Sequence, residues 1–285
     1  ILFCSKRVLR LGIVLYGFRL TFQDVLAVGA PALLIDAVVV TVTICGGVLL
    51  GRLLKMDRGI ALLTSVGSGI CGAAAVLGAE STIRARPYKT AVAVSTVVIF
   101  GTISMFLYPV LYRHGIVSLT PEQMGIYTGA TLHEVAHVVG AGNAMNGEIS
   151  DAAIIVKMIR VMMLVPVLLT ISYSISVARA RRRRLADRRS CGGVTRRIAV
   201  PWFALGFLAV IGFNSFGLLG EATVSFIHSL DTFLLTMAMT ALGAETSIEK
   251  FKKAGAKPFV LSLLLFVWLV GGGWLLVKYM APALM

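Results

Sequence analysis

Charge is what this sequence has least of: only 14% of its 285 residues are Asp, Glu, Lys or Arg, whereas 58% are hydrophobic. A soluble domain carries about 25% charged residues. With a mean hydropathy of +0.89, the chain lacks the polar coat of a water-facing fold, which excludes a soluble globular domain. Cysteine is scarce as well. Cys4, Cys45, Cys71 and Cys191 form no Cys-x-x-Cys pair, and two of them sit in apolar runs. That excludes a disulfide framework and leaves cysteine as a small buried hydrophobe. An ATP-binding motif is also missing. The glycine-rich stretch 65–72, SVGSGICG, has no Lys-Ser/Thr of a P-loop and no preceding strand for a dinucleotide fingerprint. No signal peptide with a cleavage site is legible at the Ile1 end.

What is present is apolar sequence in runs of roughly twenty residues, the length that spans a bilayer as a helix. Nine such segments can be drawn, at roughly 8–28, 31–50, 60–79, 90–112, 123–144, 152–177, 198–219, 223–244 and 258–281. They predict an all-α, polytopic transmembrane helical bundle, with residues 1–285 as one membrane domain in contact with lipid. The formal net charge of +14 gathers in Arg179–Arg189, RARRRRLADRR, with Arg196 and Arg197 beyond it. Basic loops are retained on the cytoplasmic side, so 178–197 reads as a cytoplasmic loop able to touch anionic lipid. No aromatic or groove-reading pattern accompanies these arginines, so a nucleic-acid partner is not expected.

Counting crossings from that loop puts Glu148, Asp151 and Glu221 outside and Lys250, Lys252, Lys253 and Lys257 inside. Arg84, Arg86 and Lys89 then fall outside if every segment crosses. The conflict disappears if 60–79 and 123–144 are re-entrant or broken, and both are rich in small residues. They also align without gaps: GSGICGAAAVLGA (67–79) and GATLHEVAHVVGA (129–141) share five of thirteen positions. Together these features predict two related units entering from opposite faces. Inverted repeats with interrupted helices are how secondary transporters build a midplane site. Nine full crossings with one external basic loop is the alternative.

A charge near the bilayer centre costs about 2.5–3.5 kcal/mol on insertion scales, so it marks a pathway. Lys157 and Arg160 share a helix face in the segment 152–177, where they suit an anion path. Glu134 with His133 and His137 is a second costly cluster, and Asp231 with His228 a third. Lys89 lies at the mouth of 90–112. In SVGSGICG, a helix break would expose Ser68 and backbone N–H groups to an anion.

TLHEVAHVVGAG (131–142) contains His-Glu-x-x-His, which on a helix can hold zinc and activate a water. Its extended form lacks the third ligand, because position 143 is Asn143. Asp231 is the candidate distant carboxylate for that reading.

VLRLGIVLYGFRLTF (8–22), GSGICGAAAVLGAE (67–80), AVAVSTVVIFGTISMFLYP (91–109), GIYTGATLHEVAHVVGAG (125–142), KMIRVMMLVP (157–166) and LDTFLLTMAMTALG (230–243) resemble the YeiH family, bacterial inner-membrane proteins described as sulfate exporters. The resemblance implies one or two spans before Ile1 and distant kinship with transporters built from inverted repeats with crossed, discontinuous helices. That kinship would pair 60–79 with 223–244, making 230–243 the second broken helix. The family's usual block reads His-Glu-Val-Ala-Gln, from which His137 departs.

The expectation is therefore a secondary transporter exporting a small inorganic anion, sulfate by resemblance, and not an enzyme. Lys157 and Arg160 would bind the anion, with Ser68, Gly69, Cys71 and Thr131 around it at the helix breaks. His133, Glu134 and Asp231 would couple transport to an ion. Neither cofactor nor metal is expected, and homo-oligomerisation is left open. The alternatives are an intramembrane zinc metalloprotease using His133, Glu134 and His137, and an anion channel.

Overall fold

The computed structural model describes residues 7–19, 21, 23, 29–186, 202–245 and 255–284. Every regular element among them is helical: α1 (Leu9–Leu15) with a 3-10 turn (Tyr16–Arg19), α2 (Gly29–Leu53), α3 (Arg58–Gly69), α4 (Ala73–Ile83), α5 (Pro87–Arg113), α6 (Pro121–Thr131), α7 (Val135–Met145), α8 (Gly147–Met162), α9 (Leu164–Ala186), α10 (Trp202–Ser215), α11 (Glu221–Glu245), α12 (Lys257–Val267), a π turn (Trp268–Gly272) and α13 (Gly273–Leu284). Among the described residues, four stretches are long and apolar enough to cross a membrane: Ala32–Leu53, Pro87–Arg113, Gly147–Val177 and Lys257–Ala283. The chain is an all-α polytopic membrane protein. The Arg-rich segment enters as the end of α9, and residues 187–197 lie outside the described residues.

Among the helices too short to cross, four belong together. α3 has 12 residues and α4, α6 and α7 have 11 each. At about 1.5 Å per residue, each reaches only about halfway through a hydrocarbon core of about 30 Å. They form two hairpins. The first starts at Asp57, whose carboxylate caps α3 by accepting from the N–H groups of Gly59 and Ile60. It turns at Ile70, Cys71 and Gly72, and ends at Arg84 in the left-handed region, just before Pro87 opens α5. The second starts with a capping box of Thr120 and Gln123, with Pro121 at the first helical position. It turns at Leu132, His133 and Glu134 and ends at Asn146.

Two contacts orient the hairpins. Lys89 Nζ at the start of α5 lies 2.7 Å from Asp57 Oδ2 at the start of α3, so both ends of the first hairpin share one face. Burial pushes the Asp57 carboxyl up, but hydrogen bonds from Lys89, Ile60 and Gly59 hold it below the ordinary carboxylate value. At the far end of α5, Arg113 donates to the Ala144 carbonyl at 2.6 Å, fixing both ends of the second hairpin on the opposite face. The hairpins therefore enter from opposite sides and meet in the middle. On the first face stand Arg52, Lys55, Arg58, Arg84, Arg86, Lys89 and Lys257, whose Nζ donates to the Lys55 carbonyl at 3.3 Å. The nine-crossing alternative fails on this geometry, and the basic loops of 52–58 and 84–89 lie together as the charge pattern requires.

The breaks fall at aligned positions. Ile70, Cys71 and Gly72 correspond to Leu132, His133 and Glu134 in the gapless match of 67–79 to 129–141. The pairing implied by family kinship is corrected, because α11 runs unbroken from Glu221 to Glu245 and 230–243 is not a broken helix. Interrupted backbone is tolerated in the membrane only where protein buries it or it lines a cavity. Here the first hairpin packs on Val161, Leu164, Leu168, Phe207 and Ile211. The second packs on Ile35, Val39, Tyr108 and Val156, with the Tyr108 and Tyr127 rings stacked at 4.7 Å. Small residues let α6 run close beside α8: a Cβ at Gly125 would come within 2.6 Å of Ala152 Cβ.

Candidate functional site at the meeting of the hairpins

The C-terminal end of a helix leaves carbonyls unpaired and carries about half a negative charge. The C-terminal ends of α3 and α6 both stop at the midplane, one from each hairpin. α8 runs beside α6 and carries two cations, one helical turn apart, to that point. Lys157 Nζ donates to the carbonyls of Ile70 and Leu132, each at 2.6 Å, and so bridges the two aligned tip positions. Arg160 Nε donates to the Gly69 carbonyl at 2.8 Å, and its terminal nitrogens reach Leu132 O at 3.3 Å and Ser68 O at 3.5 Å. Both side chains are fully buried, so Lys157 does not snorkel to the headgroups. An ammonium has three N–H groups and a guanidinium five. One N–H of Lys157 and two of Arg160 thus have no partner among the described residues.

The N-terminal ends of α4 and α7 face the same region. Glu134 Oε1 accepts from the Ala73 N–H at 3.2 Å, so an acid on the second tip caps a helix of the first hairpin. Gly72 makes this possible. Its φ is +70°, and a side chain there would run into Glu134. α7 has no side-chain cap of its own. His133 and His137 press against Gly101 of α5, where a Cβ would come within 3.1 Å of His133 Cβ and 2.6 Å of the His137 ring. Both are buried; neither ring nitrogen of His133 has a hydrogen-bond partner among the described residues, while His137 Nε2 lies 3.5 Å from Thr102 Oγ1.

The structure thus brings together Ser68, Gly69, Cys71, Thr131, His133, Glu134, Lys157 and Arg160, but several face the site differently from expectation. Ser68 and Gly69 present carbonyls to Arg160 and do not offer backbone donors, because α3 ends at the break and does not begin there. The Ser68 hydroxyl is buried without a partner among the described residues. Thr131 Oγ1 donates to the Tyr127 carbonyl and is hydrogen-bonded to the Tyr108 hydroxyl at 2.8 Å, so it has no free proton for a ligand. Cys71 is a free, buried thiol at the first tip.

Asp231 is elsewhere. Its Oδ2 accepts from Arg19 Nε at 3.1 Å, while Arg19 also donates to Thr232 Oγ1 and the His228 carbonyl. His228 turns a ring nitrogen to the Phe18 carbonyl. These contacts bind the 3-10 turn to α11. The residue that sequence reasoning missed is Asp36 on α2, fully buried, with Oδ1 3.9 Å from Arg160 Nε. Its signal was a lone carboxylate in the apolar run 31–50, as costly there as any residue singled out above.

The zinc signature is not on one helix. The break separates His133 from Val135, so the two histidines do not share a helical face as the motif's chemistry needs. Among the described residues, no three His, Cys, Asp or Glu side chains converge.

Known proteins support the membrane assignment. The family described as Conserved hypothetical protein 698 matches residues 1–262. A UPF0324 membrane protein of Bacteroides thetaiotaomicron is 74% identical over 283 residues, covering 99% of this chain and 82% of the relative. The UPF0324 membrane protein of Bordetella bronchiseptica is 47% identical, covering 97% and 84%. The UPF0324 inner membrane protein YeiH of Escherichia coli K12 is 46% identical over 274 residues, covering 96% and 76%. No solved structure matches. With half-length helices, buried cations and these relatives agreeing on a membrane fold, the chain belongs to the UPF0324 family of membrane proteins, of which YeiH is a member.

Proposed function

We propose that this protein is a secondary transporter of a small inorganic oxyanion, with sulfate as the first candidate, in the bacterial inner membrane with the basic face cytoplasmic. The observation that carries the reading is the tip-to-tip meeting of two opposed hairpins around Lys157 and Arg160. Buried cations at the midplane are costly, and residues of this kind mark substrate and ion pathways. Here they retain unpaired N–H groups beside the tips, and a planar guanidinium suits an oxyanion. Opposed re-entrant hairpins also provide two gates, one reachable from each side, which is what alternating access requires. The inner-membrane placement follows the name of the Escherichia coli relative, an inner membrane protein, and the positive-inside rule. Enzymatic activity forms no part of this reading, nor does a cofactor. The zinc-protease reading has no helical His-x-x-x-His face to rest on.

The test is uptake of labelled sulfate into proteoliposomes. Wild type should show a saturable, gradient-coupled rate. Arg160→Ala should lower it at least about a hundredfold, the effect of losing a charged contact worth about 3 kcal/mol. Size-exclusion chromatography would check that the variant stays folded. Unchanged flux in Arg160→Ala removes the site, and ungated ion current in wild type makes the protein a channel.

A further inference from the structure

Asp36 sits with no exposure on α2, and among the described residues neither of its carboxylate oxygens accepts a hydrogen bond. A structural ion pair in the interior is held at hydrogen-bond distance with its other lone pairs filled. The 3.9 Å separation from Arg160 Nε does not meet that description. The carboxylate neighbours a cation without being pinned to it. The charged groups facing it are Arg160 and Lys157, both from α8. The other helices packed on α2 keep their charged groups at their outer ends, as with Arg58, Glu122 and Lys257. Tyr127 is held on the Val270 carbonyl, and Lys278 stacks over the Trp274 ring.

The charges at the midplane balance. The C-terminal ends of α3 and α6 carry about one negative charge between them. Asp36 adds another, and Lys157 with Arg160 offset both. On the other side of the tips, the N-terminal ends of α4 and α7 carry about one positive charge together, which Glu134 offsets. With both acids ionised, no positive charge is left over for an anion. A dianion entering this low-dielectric space would stand uncompensated, which is prohibitive.

Resting on the anion-transport reading, we infer that Asp36 is a coupling residue that takes up a proton as the anion binds to Arg160 and Lys157. A proton from the open side adds to a carboxylate oxygen of Asp36, the Arg160 charge is released to the anion, and the proton leaves when the anion leaves. Anion and proton then travel in the same direction, and less net charge moves than with the anion alone. Asp231, fixed to Arg19 away from the tips, takes no part in this exchange.

The probe is sulfate, which stays fully ionised above about pH 4, so any proton taken up belongs to the protein. Purified full-length protein in weakly buffered detergent should absorb about one proton per sulfate bound, and Asp36→Asn none. The sulfate affinity of wild type should fall up to about tenfold per pH unit as Asp36 ionises, and that of Asp36→Asn should stay flat. Asp36→Glu should restore the wild-type count. Equal proton uptake and equal pH slopes in wild type and Asp36→Asn overturn the inference while leaving anion binding intact. If Asp36→Asn fails to fold, sulfate binding to wild type without proton uptake overturns it just as well. Absence of sulfate binding to wild type at any pH sinks the transport reading and this inference with it.

Discussion

At the scale of single residues, the site depends on a reciprocal fit between Gly72 and Glu134. The glycine stands where an L side chain is strained, at φ +70°, and the space its missing Cβ leaves is filled by the Glu134 side chain. Gly72→Ala should therefore destabilise the protein by about 1–3 kcal/mol through backbone strain, and further through collision with Glu134. Adding Glu134→Ala should recover the collision component and leave the strain. Thermal unfolding of the two single variants and the double variant measures this. Strictly additive losses would show that the two residues do not interlock. The aligned alternation of Gly72 with Glu134 was in the sequence. That one would fill the other's vacancy was not, because contact across 62 positions is set by how the hairpins meet.

At the scale of elements, the hairpins were legible from three signals: small-residue composition, the gapless match of 67–79 to 129–141, and basic loops on both flanks of 60–79. Their half-length follows from local chemistry. Asp57 and the Thr120–Gln123 box start α3 and α6, while Pro87 and Pro121 sit in a first helical turn, where the missing N–H costs no hydrogen bond. What the pattern could not supply was the direction of the backbone at each tip, and so Ser68 and Gly69 were expected as donors where the structure has them as acceptors. The re-entrant arrangement has a direct consequence for labelling. In a cysteine-free background, single cysteines at Lys55 and Arg86 should react with an impermeant maleimide from one face. Cysteines at His114 and Asn146 should react from the other. Labelling of the Lys55 and Arg86 positions from opposite faces would mean that the first hairpin crosses the membrane.

At the scale of the whole molecule, two groups of helices are distinguishable. α2 to α9 with α12 and α13 surround the tips, whereas α1, its 3-10 turn, α10 and α11 pack chiefly on one another. Arg19 and Asp231 tie the second group together, with Arg19 also lying 5.1 Å above the Tyr16 ring. Asp231→Asn should lower stability by about 1.5–3 kcal/mol, the range for a hydrogen bond to a charged group. It should leave the pH dependence of sulfate flux unchanged. A flattened pH profile in that variant would return Asp231 to the coupling machinery. The expectation of coupling at Asp231 arose from its cost in an apolar segment, a signal that does not distinguish a proton site from an ion pair between helices.

Composition, periodicity and the charge pattern pointed to a chain that lives in lipid, to 60–79 and 123–144 as unusual segments and to the charges out of place in an apolar run. These are local properties, set by transfer energies and by the backbone chemistry of caps, prolines and glycines. Tertiary structure alone decided which buried charges share a neighbourhood. It placed Lys157 between the Ile70 and Leu132 carbonyls, brought Asp36 to Arg160 and took Asp231 to Arg19. Such pairings join residues dozens to hundreds of positions apart, and only packing of the helices sets the distances on which electrostatic interaction depends.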